Sequence, residues 1–347
     1  MIRIRNNLWA DYDRFDSEVR RALTFKPKGY VFSPAYKSGR WDGKICLVRR
    51  VDGRPSFPAG LVHHVVQMVG ETQVKDMRVP PLPSLPPFAI NLNLDAGQAN
   101  AVVAAVDAGR GIVQYPTGTG KTLILAGAVA LLRVPTLILC DKRDLLRQLA
   151  EQIERTLGVE PGVIGDGVWQ PQGVTVGTFQ TLTRRLLSTQ PTAHHYRQEA
   201  IDYLASVQAV LVDEGHHIDA RTFERVLRAT PNAYYRLAFS ATPFRSDDPG
   251  TRLRVTGWTG PVVALQTLTE AIEGGRVVPA DIFIGKLDGP PTVALNYRAE
   301  YEAGCVQNAE RNSIICTLAS KIEGAGVILV ESLAHGQLLS ERTGLPF

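Results

Sequence analysis

Residues 115–122 read Tyr115-Pro116-Thr117-Gly118-Thr119-Gly120-Lys121-Thr122, and their setting decides the fold. The apolar run Gly111-Ile112-Val113-Gln114 leads in, and Leu123 to Leu132 leads out as a strong helix former. Strand, glycine loop and helix in that order is the context a phosphate-binding loop requires. Gly118 and Gly120 allow the tight turn that aims backbone N–H groups and a helix N-terminus at an anion. In that reading Pro116 to Thr122 cradle the phosphates, Lys121 reaches the β- and γ-phosphates, and the Thr122 hydroxyl completes a Mg²⁺ shell. A glycine-rich turn before a core helix is the plain alternative, and Gly-Lys-Thr in this setting argues against it. The general pattern wants glycine where this chain has Tyr115.

Downstream, apolar runs alternate with helical patterns. Thr136–Cys140, Val174–Thr178, Ala209–Val212 and Arg236–Ser240 read as buried strands. Lys142 to about Leu157 and Phe179 to Leu187 read as helices. Continuous apolar strands separated by helices predict a parallel sheet covered on both faces, an α/β core of the RecA type with ligands at the strand C-termini. Two further signals sit at such ends. Val210-Leu211-Val212 delivers Asp213 and Glu214, where Asp213 would hold the metal and Glu214 would deprotonate the attacking water. Ser240-Ala241-Thr242-Pro243 offers hydroxyls that could link the γ-phosphate site to a neighbouring domain; by itself it is only a turn. The doublets His63–His64, His194–His195 and His216–His217 are poor metal sites, because adjacent side chains point apart.

Composition sets the outer limits. The 347 residues are 44% hydrophobic and 21% charged, as in a soluble protein of two or three domains. No apolar stretch approaches the ~20 residues of a membrane span, and Met1 to Asn6 lacks the apolar core of a secretory signal. Cys46, Cys140, Cys305 and Cys316 are scattered and read as reduced thiols, which suits the cytoplasm. The net charge is +4, yet residues 1–80 hold 15 Lys/Arg against 8 Asp/Glu. That end is the one expected to face nucleic acid, although scattered surface lysines give the same count.

The N-terminal 78 residues read as a separate α+β domain, with a helix over Asp11–Thr24 (Phe15, Val19 and Leu23 inward) and strands at Tyr30–Phe32 and Ile45–Val48. Between those strands, Arg40, Trp41 and Lys44 lie in a Gly-bearing turn. They suit stacking on bases with phosphate pairing, and equally suit a hairpin with Trp41 in the core. Five prolines in Val79–Pro87 predict an extended linker over 79–91. The α/β core then occupies 92–260. From 261 the rhythm restarts, with helices at Leu265–Glu273 and Asn308–Glu323 and strands at Asp281–Ile284 and Val327–Val330. Residues 261–347 thus read as an incomplete second domain.

Taken together, Gly118-Thr119-Gly120-Lys121-Thr122, Asp213-Glu214-Gly215-His216 and Ser240-Ala241-Thr242 resemble motifs I, II and III of superfamily 2 DExH helicases. Pro-Thr-Gly-x-Gly-Lys-Thr is common in that family, which accommodates Tyr115. The resemblance implies a P-loop ATPase with ATP and Mg²⁺, with Lys121, Asp213, Glu214, His216, Ser240 and Thr242 in the catalytic centre. It implies that Gln98 reads adenine, although Asp95-Ala96-Gly97 departs from the usual Arg-Pro-Tyr. It also implies that Lys142, Arg143 and Thr178 touch the nucleic-acid backbone. Lys28–Pro34, Gly39–Lys44 and Phe57–Leu61 resemble the leading domain of phage UvsW-like helicases, relatives of XPB and RecG. That favours DNA contact by Arg40, Trp41 and Lys44. The implied function is an ATP-dependent DNA helicase or translocase remodelling branched or duplex DNA in recombination or repair, in a bacterium or a phage-infected cell. The alternatives are a duplex translocase that does not unwind and a nucleotide-gated DNA-binding module. Val327–Glu331 resembles motif IV, but no Gln-x-x-Gly-Arg-x-x-Arg follows. The arginine finger is therefore expected from a missing C-terminal segment or a protein partner.

Overall fold

A computed structural model describes residues 1–12, 17–70, 73–188, 194–214, 220–244, 249–287 and 296–347. The described chain divides into two units, Met1–Pro279 and Ala280–Phe347.

The first unit opens with β1 (Ile2–Ile4), β2 (Trp9–Tyr12), α1 (Ser17–Ala22), β3 (Thr24–Phe25), α2 (Pro34–Lys37), β4 (Ile45–Cys46), β5 (Arg49–Val51), β6 (Arg54–Pro58), α3 (Val62–Val69) and β7 (Val74–Asp76). Five of the strands make one sheet, in the order β5-β6-β2-β1-β7, and β3 pairs with β4. Sequence periodicity misplaced two features here. Trp9–Tyr12 is a fully buried strand, so the helix expected from Asp11 begins only at Ser17; Phe15 lies outside the described residues. Tyr30–Phe32 is a 3₁₀ turn, not a strand. Tyr30 packs edge-on against Tyr36 at 4.8 Å, and Gly43 at φ 80° closes on both rings. An aromatic cluster around one glycine replaces the expected ladder.

The core follows as α4 (Ala96–Ala108), β8 (Arg110–Gln114), α5 (Lys121–Leu132), β9 (Thr136–Cys140), α6 (Arg143–Leu157), β10 (Gly162–Gly165), β11 (Val168–Gln170), β12 (Val174–Thr178), α7 (Phe179–Leu187), α8 (His194–Ser206), β13 (Ala209–Asp213), α9 (Ala220–Arg228), β14 (Tyr235–Ser240), α10 (Pro249–Thr259), β15 (Val262–Leu265) and α11 (Leu268–Glu273). The sheet runs β11-β10-β12-β9-β13-β14-β8-β15, parallel throughout except for the antiparallel edge strand β11. This is the α/β sheet expected from the alternating pattern. Its apolar strands are buried on both faces, against α5 on one side and α7 and α9 on the other. The α5 sequence is apolar all round and is correspondingly buried, whereas α6 is amphipathic and buries only Leu146, Leu149, Ile153, Thr156 and Leu157.

Two expected boundaries move. The core does not end at residue 260, because β15 pairs in parallel with β8 and extends the sheet; the helix expected from Leu265 starts at Leu268. The proline stretch is extended but not free. Ser84 and Leu85 N–H groups donate to the Arg133 carbonyl, Asn91 N–H donates to Thr156 O, and Leu85 and Phe88 pack on the core. It is a strap laid across the ends of α5 and α6.

The second unit contains α12 (Tyr297–Tyr301), continuing into a π-helical turn, then α13 (Ala309–Lys321) and α14 (Leu333–Thr343). His335 and Asn312 hydrogen-bond at 2.9 Å between the two longer helices. The strands expected at Asp281–Ile284 and Val327–Val330 do not form. Both segments are exposed, Phe283 at 92% and Leu329 at 90%, and no neighbouring strand among the described residues offers a ladder to join.

Candidate nucleotide-binding site

Parallel pairing brings the C-terminal ends of β13, β14 and β8 side by side. The three motif-bearing turns therefore meet without long side chains having to span the sheet. At the end of β8, Tyr115 is buried and its hydroxyl donates to Gly97 O at 3.1 Å. The residue that departs from the general loop pattern thus pins the loop to the start of α4. Gly118 and Gly120 take φ of 87° and 81°, a region that disfavours side chains. No side chain caps α5, so its first N–H groups are left for an anion.

Lys121 is 8% exposed. Its Nζ lies 3.0 Å from Glu214 Oε1 and donates to Pro116 O at 3.3 Å. Glu214 Oε2 accepts from Ser240 Oγ at 3.0 Å, and Ser240 Oγ accepts from Thr242 N–H at 3.2 Å. One chain of contacts therefore joins the three motif turns. Glu214 has φ 47°, left-handed for a residue with a side chain, and its N–H is held by Phe239 O at 2.9 Å. Backbone strain of this kind concentrates where a side chain must be aimed. Burial, then the Glu214 charge, pushes the Asp213 carboxyl up to about 6, with Lys121 pulling the other way. The Cys140 thiol, at the end of β9, is pushed up to about 12 by burial and by Asp213 and Asp141.

Several expected residues sit differently. Gln98 is 3% exposed and both ends of its amide are engaged: Oε1 accepts from Asp95 N–H, and Nε2 donates to Thr119 O at 2.9 Å. It braces the loop. Thr119 is also internal, its hydroxyl donating to Pro116 O at 2.7 Å, while Thr117 and Gly118 are exposed. Thr178 is 4% exposed and caps α7 through its hydroxyl, so its side chain is not offered to a strand. His216 lies outside the described residues.

Lys142 and Arg143, at the end of β9, are exposed. Arg143 pairs with Asp166 at 3.4 Å, and Arg147 pairs with the same carboxylate. Asp141 accepts from Gln180 Nε2 at 2.7 Å, tying the β9 end to the β12 end. In the N-terminal region Arg40 and Lys44 are exposed. Trp41 is half-buried, its indole N–H donating to Lys44 O at 2.7 Å, so the ring shapes the turn as well as edging the surface. Lys44 also lines a groove of about 650 Å³ with Arg20, Arg21 and Lys26, and Asp42 is the one acid among its described lining residues. Sequence reading singled out Lys44 but missed Arg20, Arg21 and Lys26. Their signal was the charge surplus of that end, which does not say which cations a fold will gather.

Two family models match the chain in tandem: the N-terminal domain of the DNA helicase UvsW over residues 10–77, and the res subunit of type III restriction enzymes over residues 91–245. The DNA 3'-5' translocase XPB2 of Sulfurisphaera tokodaii is 30% identical over 251 residues, which is 70% of this chain and 50% of the relative. The ATP-dependent DNA helicase uvsW of Enterobacteria phage T4 is 21% identical over 93% of this chain and 68% of the relative. A crystal structure of the T4 UvsW helicase superposes with a TM-score of 0.59 at 20% identity, covering 76% of this chain and 99% of that one. The chain spans about half the length of the first curated relatives it matches. No helix among the described residues is long and apolar enough to cross a membrane. The joined motif turns, the parallel sheet and the tandem matches agree: this chain resembles the superfamily 2 helicases, UvsW and XPB among them.

Proposed function

We propose that the chain is the ATP-hydrolysing part of a DNA helicase or translocase that remodels branched or duplex DNA in recombination or repair, in the cytoplasm of a bacterium or a phage-infected cell. The observation that carries this is the contact chain Lys121–Glu214–Ser240–Thr242 at the ends of three adjacent strands. It places a cation, a carboxylate base and two hydroxyl-bearing residues around one glycine loop, which is the equipment of phosphoryl transfer to water.

The residues present fit Mg²⁺. The Asp213 carboxyl, raised by burial and by the Glu214 charge, and the Thr122 hydroxyl at the start of α5 are oxygen donors of the kind that ion takes. Bound Mg²⁺ would neutralise charge on the β- and γ-phosphates. Lys121 leaves Glu214 for the phosphate, and Glu214 is then free to accept a proton from the attacking water. Ser240 holds the second oxygen of Glu214 and keeps the first aimed. Because Thr242 N–H rests on that same hydroxyl, a change at Glu214 is felt in the turn after β14. Gln98 acts at one remove, by holding Thr119. On the DNA side, Lys142 and Arg143 face backbone phosphates, with Arg40, Trp41, Lys44 and the groove beside them as a second contact. A further segment or a protein partner supplies the arginine finger, a group worth ~10³–10⁵ in rate.

The test is Glu214→Gln. ATP turnover in the presence of DNA should fall about 10²–10⁴-fold, the usual loss for a general base, with ATP binding retained. Unchanged turnover would sink the proposal. Tight nucleotide-dependent DNA binding with negligible turnover in the parent chain would instead favour a nucleotide-gated binding module.

A further inference from the structure

A cavity of about 750 Å³ lies where α3, the turn after β14, α10 and the facing ends of β8 and β15 meet, all within the first unit. That volume falls in the range of small-molecule sites, about 300–1,000 Å³. Arg252, His63 and His64 line it, and none of its described lining residues carries a carboxylate. Leu61, Met68, Pro243 and Phe244 supply apolar wall. The Arg252 guanidinium sits over the Phe244 ring, 4.8 Å from its centroid. His63 and Gln67 share a hydrogen bond at 2.9 Å, giving a polar edge beside the apolar wall.

A cavity that holds Arg252, an aromatic face and a hydrogen-bonding edge, with no carboxylate among its described lining residues, suits an anion that carries a flat, apolar, edge-polar group. A nucleotide unit has this chemistry. We propose that the cavity is a second nucleotide site, distinct from the glycine loop. It takes one unpaired nucleotide, with the base against Phe244 and the phosphate toward Arg252. The site is wired to the first. Thr242 lines the cavity and its N–H rests on Ser240 Oγ, which in turn holds Glu214 Oε2. An occupant that shifts the turn therefore acts on the base through two hydrogen bonds, and by reciprocity the state of the ATP site alters affinity in the cavity. On the proposed function, which this inference extends, the occupant belongs to a DNA strand at a branch; a free nucleotide shares the chemistry.

The experiment uses the full chain with forked DNA bearing 2-aminopurine at the first unpaired position. Phe244→Ala and Arg252→Gln are compared with the parent, and circular dichroism confirms that each folds. Both changes should remove the fluorescence change on binding and weaken fork affinity about 5- to 150-fold, the span that loss of one base–aromatic stack produces. ATP hydrolysis without DNA should stay at the parent level. Parallel titration with a fluorescent ADP analogue separates the sources. One site per chain, with the fork signal lost in both variants, assigns the cavity to a strand nucleotide. Two sites in the parent and one in Phe244→Ala assign it to free nucleotide. Parent-level fork affinity and signal in both variants, with one ADP site, overturn the proposal. The underlying function is judged separately: a Lys121→Ala chain that still hydrolyses ATP refutes that function whatever the cavity does.

Discussion

Asp213 ends an apolar strand with its carboxyl near pH 6, because burial and Glu214 penalise its charge more than Lys121 relieves it. The sign has two consequences. A raised carboxyl holds its proton more tightly in the folded chain than in the unfolded one. This group therefore adds stability as pH falls from about 6 toward the ordinary aspartate range, and withdraws it as pH rises through about 6. A metal needs the ionised form, so ATP turnover should fall as pH drops toward 6 and below, with saturating Mg²⁺ moving that limb to lower pH. Carbon-detected NMR of the metal-free chain should show Asp213 titrating near 6, lower in Glu214→Gln and higher in Lys121→Ala. A titration in the ordinary aspartate range in all three would refute this electrostatic account. At this scale the sequence was informative about identity and silent about engagement. That Lys121, Asp213, Glu214, Ser240 and Thr242 would come together was legible, because motif residues at strand ends converge when strands pair in parallel. That Gln98 and Thr178 would be turned inward, as a loop brace and a helix cap, was not, since a glutamine or threonine hydrogen-bonds equally well to a ligand or to its own backbone.

Elements of the core were legible wherever one period ran unbroken. The glycine loop, β9, β12, α6 and α7 fall within a residue or two of their expected bounds. The N-terminal elements were not, because strands of two to five residues and helices of one or two turns carry at most two or so periods of pattern. What positions them is contact between elements. The Ala59–Leu61 turn presses onto α10 so closely that a Cβ on Gly60 would lie 2.1 Å from Thr256 O. Backbone oxygen cannot swing aside as a flexible side chain can. Gly60→Ala should therefore cost about 1–3 kcal/mol through forced separation of the two elements, seen as a lower thermal midpoint. A midpoint equal to that of the parent would show that the turn and α10 are not packed backbone to backbone.

Across the first unit, small sheet and large sheet are fastened at several places. Trp9 meets Trp258 edge-on at 5.6 Å, Arg49 pairs with Glu224 at 3.0 Å, and Arg110 donates to Asn7 O at 2.9 Å. The proline strap adds Leu85 against Gly173 and backbone bonds at Arg133 and Thr156. Composition revealed the extended conformation of this stretch but not its docking, because prolines that stiffen a free spacer also stiffen a seated one. A double change of Leu85 and Phe88 to Ser should lower the melting temperature of the unit, by about 2–4 °C for each kcal/mol of apolar packing removed. An unaltered melting curve would mean that the strap is passive. A loose leash would let the N-terminal region search for DNA, at a local concentration set by its length. A seated strap would instead turn the Lys142–Arg143 end and the Arg20–Lys44 groove into the jaws of a caliper. On the proposed function, such a protein would gauge a DNA junction by whether it fits between the jaws, and shape rather than reach would decide what it grips.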